Sequence, residues 1–194
     1  MKILAIILAR KNSKRLKNKH HLKLGGKPLI EHTFDLFKKK KIFSDIVVST
    51  DDKKIIKHVK EKYSNFIPIL RSKNLSKDST DSYQVLIQVY NWYNKKYSSV
   101  DGIFLLQPTS PFRKLTTVQK MIKEFKKNQM KRSVISVKKV KNHPEWMFEI
   151  KKNKMFKLQQ KKNIQMSQYL KKLFIVNGLG YLLVPKDLIK NMYI

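Results

Sequence analysis

The sequence predicts an α/β fold with a doubly wound, mostly parallel central sheet. From residue 2 to residue 137, short continuous apolar segments alternate with segments whose apolar residues recur at helical spacing. Strands that alternate with helices in this way build a parallel sheet through right-handed crossovers. The chain has 194 residues, of which 41% are hydrophobic, and this is enough for one domain, residues 1–194, with a sizeable core.

The first half of the chain supplies the first strands and helices. The segment 2–8 is apolar at every position after Lys2, as is typical of a strand buried on both faces, and a polar loop with a Gly-Gly pair follows over residues 9–27. Pro28 stands where a first helical turn begins. The next predicted elements are a strand over 46–50, a helix over 53–63, a strand over 66–70 and a helix capped by a residue among 78–81.

The second half continues the alternation and then becomes irregular. Strands are predicted over 102–106, 133–137 and 179–184, and a helix over 116–128, with a short helix opening at Pro185. Residues 146–150 and 154–158 suggest a small hairpin within the irregular region.

The net charge of +31 has two interpretations. It suggests a nucleic-acid-binding protein, but only five of the 44 basic residues are arginines, and the 39 lysines are spread along the chain. Base readout and bidentate phosphate contacts favour arginine. We therefore expect no nucleic-acid partner and attribute the charge to a lysine-rich composition, which would still attract an anionic ligand.

The compartment is predicted from what the sequence lacks. The chain has no cysteine, which excludes disulfides and thiolate metal sites. Its short N-terminal apolar run is followed by basic residues and by no small-residue cleavage site, and no run is long enough to span a bilayer. A cytoplasmic protein is expected.

Polar residues follow four of the predicted strands. They are residues 10–15, 49–52, 71 and 107–110. Ligands of open α/β sheets bind beyond the carboxyl ends of the strands, so these residues are the candidate site. The first loop combines backbone amides, small polar side chains and cations, as a triphosphate requires. It contains neither a P-loop nor a dinucleotide-binding fingerprint.

Several of these segments resemble the CMP-sialic acid synthetases, also called acylneuraminate cytidylyltransferases. The matching segments are 8–14 (LARKNSK), 26–30 (GKPLI), 46–51 (IVVSTD), 105–111 (LLQPTSP) and Asn177-Gly178. They occur in the family's order and spacing over residues 3 to about 184. The resemblance implies a Rossmann-like nucleotide-diphospho-sugar transferase fold.

The resemblance also implies an activity: transfer of CMP from CTP to a nonulosonic (sialic-type) keto-sugar acid, with Mg²⁺ and release of pyrophosphate. Arg10 and Lys19 would be catalytic cations. The substrate-binding residues would be Arg10, Ser13, Lys14, His20, Arg71, Thr80, Ser82, Gln107 and Asn177. A homodimer is implied through an insertion near 140–175, with Trp146, Met147 and Phe148 as apolar anchors.

The sequence departs from the family at three places. His20 replaces an asparagine, and Ser167 and Ile175 stand where the family has arginines. The family's metal-binding aspartates lie beyond the late strand, so the chain is expected to be truncated relative to the family, and no metal ligand is predicted in it. Three hypotheses follow: an active cytidylyltransferase, a catalytically impaired nucleotide-binding relative and, least favoured, a basic nucleic-acid-binding protein.

Overall fold

The computed structural model describes residues 1–11, 13, 16–39, 41–77, 80–158 and 170–189. It divides into two compact units: Met1–Ser136 with Gly178–Ile194, and Val137–Asn177. The second unit has nearly the bounds of the predicted insertion. Its role in a dimer, like the single-domain organisation, stays a prediction.

Strands and helices alternate through the first unit. The strands, in chain order, are β1 (Ile3–Ala9), β2 (Lys23–Leu24), β3 (Lys27–Pro28), β4 (Asp45–Thr50), β5 (Phe66–Leu70), β6 (Gly102–Leu106), β7 (Val134–Lys139), β8 (Phe148–Lys151), β9 (Lys154–Lys157) and β10 (Phe174–Leu183). The helices are α1 (Leu29–Phe37), α2 (Lys53–Lys62), α3 (Ser82–Lys96), α4 (Leu115–Lys127) and α5 (Pro185–Ile189).

The central sheet has six strands in the order β5-β4-β1-β6-β10-β7. Strand β1 pairs in parallel with both β4 and β6, and β4 pairs in parallel with β5. Strand β10 runs antiparallel to β6, with Tyr181 opposite Leu105. The mostly parallel, doubly wound sheet that the sequence predicts is confirmed.

The core lies on both faces of this sheet. Side chains of β1 alternate between two apolar clusters: Ala5 and Ile7 pack with the helix residues Phe34 and Phe125, whereas Leu4 and Ile6 pack with residues such as Leu86. Helices α1, α2 and α4 thus cover one face, and α3 with α5 covers the other. Burial on two faces explains why β1 is apolar at consecutive positions.

The structure corrects several predicted bounds. Strand β10 begins at Phe174, five residues before the predicted start at 179. The polar loop contains the short β2–β3 hairpin, whose turn holds Gly25 and Gly26 at φ +55° and +85°. Trp146 belongs to a 3₁₀ turn before the β8–β9 hairpin rather than to the hairpin itself.

Within the ranges that the structure covers, no helix combines the length and the apolar character needed to cross a bilayer.

Candidate active site

A pocket of about 360 Å³ lies at the carboxyl ends of β1 and β6 and at the start of α3. Eight of the ten predicted site residues line it: Arg10, Ser13, Lys19, His20, Arg71, Thr80, Ser82 and Gln107. Of the other two, Lys14 lies outside the described residues, and Asn177 lies on β10 in the second unit. The structure therefore gathers side chains that are up to 97 residues apart in the sequence.

The loop after β1 is fixed to the end of β4. The Thr50 hydroxyl donates to the Ala9 carbonyl at 2.5 Å, and the Lys11 amide donates to Oδ1 of Asp51 at 2.7 Å. These two bonds fix the residues on either side of Arg10 in the sequence. The Nη1 of Arg10 itself donates to the Lys77 carbonyl at 3.1 Å. The position of Arg10 thus depends on the parallel pairing of β1 with β4.

Arg71 is buried rather than part of a surface ion pair. Its Nε donates to the Ser49 hydroxyl at 3.3 Å and its Nη2 to the Ser49 carbonyl at 2.9 Å. Burial, and secondly the charge of Arg10, lower the pKa of Arg71, while Asp51 opposes the shift. The guanidinium stays protonated near neutral pH because arginine does not lose its proton in proteins.

His20 is the most unusual group of the pocket. It is only 5% exposed, and its Nδ1 has no hydrogen-bond partner among the described residues. Burial, followed by electrostatic interactions with Lys19, His21 and Arg71, lowers the pKa of His20 to about 4, and Asp52 opposes the shift. Near neutral pH the His20 ring is therefore neutral, and its buried Nδ1 stays unpaired within the described part of the chain.

The opposite wall begins with helix α3. Asp81 is its N-cap and accepts from the Tyr83 amide at 3.2 Å; Asp78 and Ser79, the other cap candidates, lie outside the described residues. The Thr80 hydroxyl donates to the Asn74 carbonyl at 3.1 Å. Because Ser82 opens the helix, the pocket meets the positive end of the helix dipole.

Gln107 follows β6 and is held through its backbone. Its carbonyl accepts from Nη2 of Arg113 at 2.8 Å and from the Ser110 amide at 3.1 Å. Its Oε1 lies 3.1 Å from the point where a Cβ on residue 178 would stand. Residue 178 is glycine at φ +72°, a backbone conformation that favours glycine, and a Cβ there would press against the Gln107 amide.

The pocket suits an anion better than a metal ion. Arg10, Lys19 and Arg71 supply three cations, and none of the lining residues carries a carboxylate. Within the described parts of the chain, no group of three or more His, Cys, Asp and Glu residues could hold a metal. Guanidinium, ammonium, hydroxyl and helix-terminus donors together are the usual partners of phosphate.

Sequence reasoning missed four residues that line the pocket: Leu8, Leu75, Val85 and Leu105. All four are apolar, and most lie next to predicted site residues or on predicted core positions. Pro108 and Thr109, which also line the pocket, belong to the candidate segment 107–110, although neither was given a role.

Cations at the carboxyl edge of a parallel sheet are typical of α/β proteins that bind anionic ligands such as nucleotides. The family model described as cytidylyltransferase matches residues 4–173. A CMP-N,N'-diacetyllegionaminic acid synthase from Legionella pneumophila is 34% identical over 192 residues, which cover 98% of this chain and 82% of the relative. The chain belongs to the cytidylyltransferase family.

Two further comparisons match this chain. A pseudaminic acid cytidylyltransferase from Campylobacter jejuni is 37% identical over 134 residues, covering 68% of this chain and 56% of that relative. The solved structure of a CMP:2-keto-3-deoxy-manno-octonic acid synthetase complexed with CTP superposes with a TM-score of 0.67 at 19% identity. It covers 99% of this chain and 78% of the other, and at this identity it supports the fold alone.

Proposed function

We propose that this protein transfers CMP from CTP to a nonulosonic, sialic-type keto-sugar acid and releases pyrophosphate. The observation that carries the proposal is that eight predicted site residues meet in one pocket. The similarity to a CMP-sugar synthase over nearly the whole chain supports the same substrate class.

The reaction exchanges one bond at phosphorus for another. The anomeric oxygen of the sugar bonds to the α-phosphorus of CTP, the bond from that phosphorus to the bridging oxygen breaks, and the hydroxyl proton leaves to solvent. Negative charge grows on the departing pyrophosphate. Arg10 and Lys19 would stabilise it, because fixed cations act most strongly where charge develops in the transition state.

The remaining residues would bind and orient the two substrates. Arg71, Thr80, Ser82 and Gln107 would hold the cytidine and ribose, and the Gln107 amide offers both a donor and an acceptor to a base. Ser13 and Lys14 would line the phosphate loop, and Asn177 would contact the sugar. His20 would take the place of the family's asparagine in substrate binding.

Mg²⁺ is part of the proposal through the resemblance alone. The described lining residues do not fit a protein-bound cation, since they carry no carboxylate. Magnesium commonly keeps its waters and binds substrate phosphates with few protein ligands, so we expect it to arrive with CTP. The roles assigned above to side chains do not depend on it.

We further propose a cytoplasmic homodimer. The second unit exposes apolar side chains on its hairpin, among them Ile150 at 72% and Met155 at 66%, and Trp146, Met147 and Phe148 are exposed nearby. Exposed apolar groups in one place suggest an interface. Light scattering of the wild type and of Met155→Glu would test this. We expect the wild type to be a dimer and the variant to be a monomer. A monomeric wild type would refute the proposal.

The activity is tested by measuring pyrophosphate released from CTP and Mg²⁺ across a panel of keto-sugar acids. Release with a nonulosonic acid, lost in Arg10→Ala and retained in Arg132→Ala, is expected; Arg132 is exposed and does not line the pocket. If CTP binds and no sugar supports release, the protein is a catalytically impaired relative. Failure of CTP to bind would refute the proposal altogether.

A further inference from the structure

The pairing of β6 with β10 stops at the edge of the pocket. Ile103, Phe104 and Leu105 stand opposite Leu183, Leu182 and Tyr181. In the same register Gln107 would stand opposite Leu179. These two residues lie beyond the ladder, and the side chain of Arg113 bonds to both: its Nη2 donates to the Gln107 carbonyl at 2.8 Å and its Nε to the Leu179 carbonyl at 2.6 Å.

Burial of the Arg113 guanidinium between β6 and β10 costs free energy. Arg113 is 4% exposed, and burial lowers its pKa to about 10. No described carboxylate forms an ion pair with it; a further hydrogen bond runs from its Nη1 to the Thr33 hydroxyl at 3.5 Å. A buried cation without a counter-charge costs stability, and the hydrogen bonds to the two carbonyls offset part of that cost.

A second bond joins the same two segments. The Ser110 hydroxyl donates to the Gly178 carbonyl at 3.0 Å, one residue before the carbonyl that Arg113 binds. Between these two bonds the Gln107 side chain lies against Gly178. The position of its amide in the pocket is therefore set by how far β6 and β10 are held apart.

We propose that Arg113 is a positioning residue for nucleotide binding. Its hydrogen bonds to the two carbonyls replace the next backbone pairing between β6 and β10 and so place the Gln107 amide against the bound nucleotide. This inference rests on the proposed function, because Gln107 is assigned to the cytidine side there. Arg113 itself does not line the pocket and acts only through Gln107.

The test is a double-mutant cycle on the dissociation constant for CTP, measured by titration calorimetry. Arg113→Lys keeps the charge but loses the planar fork that reaches two carbonyls. We expect Arg113→Lys and Gln107→Ala each to weaken CTP binding by about tenfold. The double variant should bind within about twofold of Gln107→Ala, because both changes remove the same contact. Arg132→Lys is the matched control and should bind CTP like the wild type.

The outcomes separate the two proposals. Effects that multiply in the double variant, or no effect of Arg113→Lys, would show that Arg113 does not act through Gln107. If Arg113→Lys does not fold, as judged by circular dichroism, Ser110→Ala replaces it in the cycle with the same expectation. Absence of CTP binding by the wild type would overturn the proposed function and this inference together.

Discussion

Acidification from pH 7.5 to pH 5 is expected to destabilise the protein through His20, and His20→Asn should remove that part of the sensitivity. The ring is buried among Lys19, His21 and Arg71, with Asp52 as the one opposing charge. Protonation is therefore unfavourable in the folded chain. In the unfolded chain the ring is hydrated and is separated from Arg71, so it accepts a proton more readily.

The magnitude follows from the two pKa values. The pKa of His20 is 6.5 without these neighbours and about 4 in the folded protein. Between these values the unfolded state binds more protons, so stability falls as the pH falls. The contribution is fully present above pH 6.5, and about 3 kcal/mol is lost by pH 4. At pH 5 the loss is about 2 kcal/mol.

Urea denaturation followed by circular dichroism at pH 7.5 and pH 5 measures this difference. The wild type should lose about 2 kcal/mol more than His20→Asn on acidification. Ser13→Ala, another pocket change but one that removes no titrating group, should behave like the wild type. Carboxylates such as Asp35 are present in all three proteins, so their titration cancels in the comparison. Equal losses in the wild type and His20→Asn would refute the argument from burial.

Three further substitutions test the packing and the site. Gly180→Ala would place a Cβ 2.7 Å from Cε1 of Phe104 and should cost about 1–3 kcal/mol in urea denaturation; unchanged stability would contradict the packing. Thr50→Val removes the hydroxyl that donates to the Ala9 carbonyl and should cost about 1–3 kcal/mol, whereas a neutral result would mean that water replaces it. Arg71→Lys should weaken CTP binding about tenfold by calorimetry, and unaltered affinity would exclude Arg71 from the nucleotide site.

The strands of the sheet were predictable where burial on both faces makes consecutive residues apolar. Strands β1 and β6 are apolar at every position because both faces are covered, and such runs are visible in the sequence. The start of β10 was not, because residues 174–177 are exposed and show no apolar–polar alternation. The β2–β3 hairpin pairs only two residues on each side, which is too short for any periodic signal.

The site was predictable for a different reason. Parallel strands bring their carboxyl ends to one edge of the sheet. Residues that follow different strands can therefore be predicted to meet at that edge, even when their contacts are unknown. The role of Arg113 could not be predicted in this way, because its partners on Gln107 and Leu179 are backbone carbonyls. Every residue has a backbone carbonyl, so no residue type in the sequence indicates such a partner. One signal was available: in a chain with 39 lysines, Arg10, Arg71 and Arg113 are three of only five arginines.

The place of β10 in the sheet has a consequence for synthesis on the ribosome. Strand β7 precedes β10 in the chain, yet β10 lies between β7 and β6. Until residues 174–183 have emerged, β6 has an open edge and β7 has no neighbour in the sheet. Unpaired edges attract strands of other chains. Strand β10 therefore protects the nascent protein from aggregation, and chains released before residue 178 should accumulate as insoluble material.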